Sequence, residues 1–380
     1  MSAPQFHAGF ADPLARTLQV GFLCPHNPHD RSSFSGTPYH AARALAAADG
    51  VTLRIIGGHR PLAWHDRLTR RLRERPVFAP RQADFDDLDI VVGLVATGHL
   101  LEAHGLTDAP IVHVTDATPD FLREHYGRRI PRESDLAEAK ALSVARLAVY
   151  SSDYMARRAV DEFGPHLRRK VAAVPFGANC ALSAAPPVKP APSPLRLLWV
   201  GSRWERKGGE IALAAFDILR ARGIDAELAM VGDVPSDVRR RPGLHVVGWL
   251  DKNRPAEAAQ LADHFAAAHL FLLPTRADCT PMVVAEAGAR ATPVLVTDVG
   301  GMGSLVTEGV NGRMIPPEAG PTVWAQAIQE ITADPDALAA LGATSFAHVR
   351  EHLTWDAWAA ALVARLRMEV AADRLDAAAA

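Results

Sequence analysis

The sequence predicts an α/β protein of two doubly wound, Rossmann-like domains facing each other across a cleft. Three observations predict it. Short apolar runs alternate with helix-forming stretches along most of the chain, which implies βαβ crossovers and parallel sheets. The segment 181–194, ALSAAPPVKPAPSP, holds five prolines and no hydrophobic periodicity, so it reads as a stiff, extended linker. Finally, 380 residues exceed one comfortable core, and two domains are the default.

The elements follow in order. Residues 1–180 form the first domain, with strands expected at 18–23, 52–56, 90–95, 111–114, 147–150 and 171–174. Helical patterns fall between most of them, for example at 39–48 and 136–143. After the linker at 181–194, the second domain, 195–354, restarts the alternation. Its expected strands are 195–200, 227–231, 244–247, 270–273 and 293–296, and its expected helices 210–222, 282–289 and 322–331. The terminal stretch 355–380 opens with a helix to about residue 374, expected to cross back onto the first domain.

Composition narrows the function. Hydrophobic content of 48% and charged content of 22% are ordinary for a soluble globular protein. A net charge of -2 argues against generic nucleic-acid binding, which needs a basic excess. Cys24, Cys180 and Cys279 are isolated, so neither a disulfide framework nor a zinc site is expected, and a reducing compartment is. No signal peptide is evident and no apolar run reaches the length of a membrane span. The expectation is a cytoplasmic protein, with peripheral contact at the inner face of a membrane as one option. That option rests on the stretch from Arg60 to Arg75, where six arginines interleave with Leu62, Trp64, Leu68 and Leu72. A basic amphipathic helix can lie on anionic lipid, although an exposed helix explains the pattern as well.

The residues with most chemistry sit in the second domain. Asp278 and Glu286 are acids with seven residues between them. The strand ending at Pro274 leads through the loop 275–281, which carries Asp278, into a helix carrying Glu286. Such a unit aims backbone N–H groups and a helix dipole at its ligand. One carboxylate can accept hydrogen bonds from sugar hydroxyls while the other grips a ribose, an arrangement suited to a nucleotide-diphosphate sugar. Earlier, LLWVGSRWERKGGE (197–210) is a strand, Gly201, a basic loop and a helix. Arg203 and Lys207 would meet a diphosphate there, and a solvated basic loop is the plainer reading. In the first domain, 20–46 reads as strand, polar loop and helix. Gly36 would let amides approach the same diphosphate, with Ser35 and Thr37 beside it.

The segments VGSRWERKG, PTRADCTPMVVAEA and TDVGGMGSLVTEGVNGRMIP, in this order, resemble the retaining glycosyltransferases of family four, which have the GT-B fold. The likeness covers most of 195–318 and the first domain more loosely. It implies that Asp278, with Cys279, Thr280, Pro281 and Met282, holds the donor sugar, that Glu286 binds the ribose, and that Trp249 and Leu250 lie by the base. Simple packing is the competing reading for Trp249 and Leu250. The family's signature normally begins with Glu where this chain has Asp278, and commonly has Arg where this chain has Ser202. Members also carry a His at the end of the fourth strand. This chain has Asp116, a candidate catalytic residue or a helix N-cap.

The resemblance thus implies a hexosyltransferase acting on a nucleotide sugar and a hydroxyl acceptor (lipid, oligosaccharide or small molecule), with no metal or other cofactor. Lys207 and Asp278 would join Asp116 in the catalytic group. A non-catalytic sugar-nucleotide-binding subunit is the alternative. A nicotinamide oxidoreductase is disfavoured, because neither glycine loop reads GxGxxG. The DxD spacings at Asp84–Asp86 and Asp87–Asp89 precede a buried strand and read as an approach loop.

Overall fold

The apolar runs become buried parallel strands. The protein is described by a computed structural model that covers residues 16–57, 80–127, 129–238 and 241–379. The basic stretch from Arg60 to Arg75 lies outside these described residues. In the first half the strands are Leu18–Leu23 (β1), Val51–Ile56 (β2), Ile90–Leu94 (β3), Ile111–Thr115 (β4), Leu147–Tyr150 (β5) and Val171–Ala173 (β6). They pair in the order β2-β1-β3-β4-β5-β6. In the second half they are Leu195–Gly201 (β7), Ala226–Gly232 (β8), Leu244–Gly248 (β9), Leu270–Leu273 (β10), Val294–Thr297 (β11) and Gly312–Ile315 (β12). Their order is β12-β11-β10-β7-β8-β9.

Both sheets are parallel throughout, so helices must cover both faces, and the strands read as continuous apolar runs. Strand order reverses next to the first strand of each half. Ligands of open α/β sheets bind at such reversals, beyond the carboxyl ends of the strands. In the second half the reversal falls between β7 and β10, whose following loops carry Lys207 and Asp278. Topology alone therefore brings together two motifs far apart in sequence.

The helix Trp355–Ala379 packs on the first sheet, not the second. Trp358, Leu362 and Leu366 are fully buried in one cluster with Val20, Phe22 and Leu45. Burying each such side chain contributes roughly 1.5–3 kcal/mol, which fastens the end of the chain to its beginning. The chain thus passes between the halves twice, side by side. The Ala178 amide donates to the Leu353 carbonyl at 2.8 Å, and a Cβ on Gly177 would meet the Trp355 amide at 2.2 Å.

The proline-rich segment is held down. Lys189 Nζ donates to the carbonyls of Phe265 (3.0 Å) and Ala266 (2.9 Å), at the end of helix Pro255–Ala267, and to Thr292 Oγ1. This fastens the middle of the linker to the second half and leaves 177–179 and 353–355 as the shared crossing. Strand β12 has no counterpart among the sequence expectations, because GRMI supplies only two apolar residues. The Asp84–Asp89 stretch is an approach turn: Asp89 accepts from the Gln19 amide at 2.9 Å and from Arg374 at 2.7 Å.

Candidate functional site

The floor of the cleft is built around Asp278, which is 4% exposed. Lys207 Nζ donates to Oδ2 at 2.8 Å, and Arg206 Nη1 reaches Oδ1 at 3.3 Å. Burial alone would raise the Asp278 carboxyl, yet the Lys207 and Arg206 charges hold it below its ordinary value. A buried lysine and a half-buried arginine face one carboxylate, and this trio is left net positive. The backbone explains how Lys207 arrives there. Gly208 has φ +66, and a Cβ on it would stand 1.8 Å from the Pro274 carbonyl, so only glycine lets the β7 and β10 loops touch.

The first half supplies a third donor. Tyr126 OH donates to Asp278 Oδ1 at 3.3 Å and accepts from the Cys279 amide at 3.1 Å. The Arg206 guanidinium lies 4.2 Å above the Tyr126 ring centre, a cation–π contact. A carboxylate offers about four acceptor positions. Three donors already fill most of the Asp278 carboxylate.

Glu286 is just as buried, at 2% exposure, but has a simpler setting. Its side-chain partner is Lys252 Nζ, 2.5 Å from Oε1. Both residues line the cavity that runs over the site, about 240 Å³ in volume. Gly201, Lys207, Asp278, Thr280, Pro281, Met282, Trp249 and Leu250 line it as well, and so does Ser35 from the first half. Trp249 is 63% exposed, a rim residue with an open face.

Other sequence candidates lie outside that lining. Arg203 is solvent-exposed at φ +94, while Arg206, three residues on, turns inward. Cys279 is buried, and its thiol is pushed well up by burial and then by the charge of Asp116. That places Asp116, at the end of β4, beside the 278–282 loop. The cap of helix Pro119–His125 is Thr118, whose side chain accepts from the Phe121 amide, so the N-cap reading of Asp116 fails. Gly36 precedes helix Thr37–Ala47 with φ +94, and a Cβ there would stand 2.7 Å from the Arg31 carbonyl. His113 is buried in the sheet against Glu138 at 2.8 Å.

Direct contacts close the cleft. Ser32 Oγ donates to Asp251 Oδ1 at 2.6 Å, and Asn253 Nδ2 reaches Asp30 Oδ1 at 2.8 Å. Ser151 and Thr280 hydroxyls are hydrogen-bonded, and the Asp153 amide donates to Ser304 Oγ at 3.0 Å.

A cationic floor at a strand reversal, a second acid with its own lysine and a facing glycine loop offer charge to an anion and hydrogen-bond partners to hydroxyls. Residues 194–334 match the family described as glycosyl transferases group 1. They are a glycosyl transferases group 1 domain. The chain is similar to a D-inositol 3-phosphate glycosyltransferase of Thermobispora bispora, 33% identical over 178 residues. That alignment covers 44% of this chain, and the chain spans 41% of that relative's length.

The fold is GT-B. Sucrose-phosphate synthase of Thermosynechococcus elongatus superposes with a TM-score of 0.68 at 20% identity, covering 94% of this chain and 100% of that one. HepE of Anabaena, solved with UDP, gives 0.64 at 14% identity, covering 92% and 99%. The group 1 domain contains β7 to β12 whole, and so also the Lys207, Asp278 and Glu286 positions.

Proposed function

We propose that this chain is a retaining glycosyltransferase that moves a hexosyl group from a nucleotide-diphosphate sugar to a hydroxyl acceptor. The observation that carries the reading is the trio at the β7/β10 reversal, Lys207 and Arg206 on the buried Asp278 carboxylate. Lys207 and Arg206 neutralise the departing diphosphate, and amides at the start of helix Met282–Gly288 add to that field. Charge on the leaving group is met by side chains, and this supports a donor that needs no bridging metal. Glu286 takes the ribose hydroxyls once Lys252 moves aside. Trp249 offers its exposed face to the base. Asp278 sets the cations, and the amide of Cys279 and the Thr280 hydroxyl orient the sugar.

Asp116 stands at the end of the facing strand, on the acceptor side. The acceptor hydroxyl attacks from the face the diphosphate leaves, and a phosphate oxygen takes its proton. Contacts such as Ser32–Asp251 exclude water during that step and limit donor hydrolysis. The relative's name carries an inositol phosphate acceptor, which makes small hydroxylated phosphates the first acceptors to try.

A thermal-shift panel of UDP-, GDP- and ADP-sugars tests the reading. A donor at one hundred times its dissociation constant stabilises by about 2.7 kcal/mol. The true donor should shift wild type and leave Lys207→Ala and Glu286→Ala unmoved. Full shifts in both variants would place the donor elsewhere. Slow hydrolysis of the labelled donor then separates an enzyme from a non-catalytic binding subunit.

A further inference from the structure

A second cavity, about 520 Å³ and so larger than the donor cleft, opens on the other side of Glu286 and Lys252. Both domains and the crossing between them wall it. Helix Thr37–Ala47 contributes His40 and Arg43, the loop before it Arg31, and the second half Lys252 and Arg290. Its apolar floor is Leu261 and Phe265.

The charge here is unbalanced. Among the described residues, Arg31, Arg43 and Arg290 form no ion pair with a carboxylate, and the one acid in the wall, Glu286, is already matched by Lys252. Arg31 and Arg43 instead stack on Tyr39, with guanidinium carbons 4.9 and 5.6 Å from the ring centre. That holds two cations at one edge without neutralising them. The field is felt inside: burial, then Lys252, Arg31 and Arg43, lower His40 to about 4.

We propose that this cavity binds a phosphate-bearing small molecule, separate from the donor. Three uncompensated guanidiniums suit a phosphate, which they can grip in bidentate fashion. The volume and the apolar floor exceed what a free ion fills and suit an organic body attached to it. The pocket adjoins the ribose acid and not the Asp278 end, so its occupant lies away from the transferred sugar. Its walls come from both halves, so an occupant bridges them beside the 177–179 and 353–355 crossing.

The test is calorimetric titration of the full chain with inorganic phosphate and with phenyl phosphate at constant ionic strength. Wild type should bind both, and Arg43→Gln and Arg290→Gln should each weaken binding about tenfold, as expected for one hydrogen bond to a charged group. Neither residue lines the donor cavity, and circular dichroism and the unliganded melting temperature check that each variant folds. Lys207→Ala should bind phosphate as wild type does. Tighter binding of the ester identifies an organic phosphate as the occupant, and equal affinity identifies the free ion. Binding unchanged in both arginine variants, or lost in Lys207→Ala, would assign the anion to the donor site and overturn the proposal. Because phosphate needs no nucleotide to bind, failure of the donor panel leaves this outcome readable.

Discussion

The two ends of the 278–286 segment look alike in sequence, an acid in each place, and differ sharply in structure. Asp278 accepts from Lys207, Arg206 and Tyr126 and has little capacity left for a ligand. Glu286 has Lys252 as its side-chain partner and borders two cavities. A buried carboxylate ringed by donors is a fixed strut, whereas one matched to a single lysine can exchange that partner for a ligand's hydroxyls. The spacing of two acids therefore says where they sit and not which of them touches the substrate.

Breaking the strut should have the largest effect. Lys207→Ala leaves Asp278 buried with fewer partners, and removal of one member of a buried pair typically costs about 3–5 kcal/mol. Arg206 and Tyr126 persist, so the lower end of that range is expected in urea denaturation. Transfer, measured as kcat/KM with the donor that the panel identifies, should fall at least about a hundredfold, as for loss of one preorganised charge-stabilising donor. A stability change below 1 kcal/mol would show that Asp278 does not depend on Lys207.

An intermediate effect is expected beside Glu286. His40, held near 4, lies below its ordinary 6.5, so the unfolded chain binds more protons between these values. Stability from this residue is complete above pH 6.5 and drains away as pH falls toward 4, by up to about 3 kcal/mol. His40→Gln should flatten that part of the acid limb in a series of chemical melts. An unchanged slope would mean that His40 takes up its proton in the folded state.

Much of this architecture was legible in the sequence, for a physical reason. Parallel strands buried on both faces are long apolar runs, and Leu270–Leu273 or Leu195–Gly201 could hardly be anything else. Lys207 and Asp278 could be singled out because each lies in the loop that follows a strand, and Glu286 because it lies on the short helix after the second of these loops. The sequence points to Arg203 and gives no sign of Arg206. Arg203 itself takes a left-handed backbone, φ +94, and the turn it starts points Arg206 inward, which no local pattern announces. Tyr126 and Lys252 had no local signal at all. Tyr126 meets Asp278 across the cleft, 152 positions away, and Lys252 meets Glu286 from 34 positions away, so neither contact leaves a pattern in its own segment.

Tyr126 is the subtlest of these tests. Its hydroxyl stands between Asp278 Oδ1 and the Cys279 amide, the same acceptor and donor that a sugar hydroxyl would use. Tyr126→Phe keeps the ring beside Arg206 and removes a long bond to the Asp278 carboxylate and one from the Cys279 amide. A cost of about 1 kcal/mol follows, since the Asp278 bond is stretched to 3.3 Å. If the hydroxyl only braces the closed cleft, donor KM and kcat should both worsen by a few-fold. If it must yield to the incoming sugar, the variant should bind donor more tightly, with KM falling while kcat holds. The direction of KM in one conservative variant thus decides whether the strut at Asp278 is complete without substrate or is waiting for one of its three partners to be replaced.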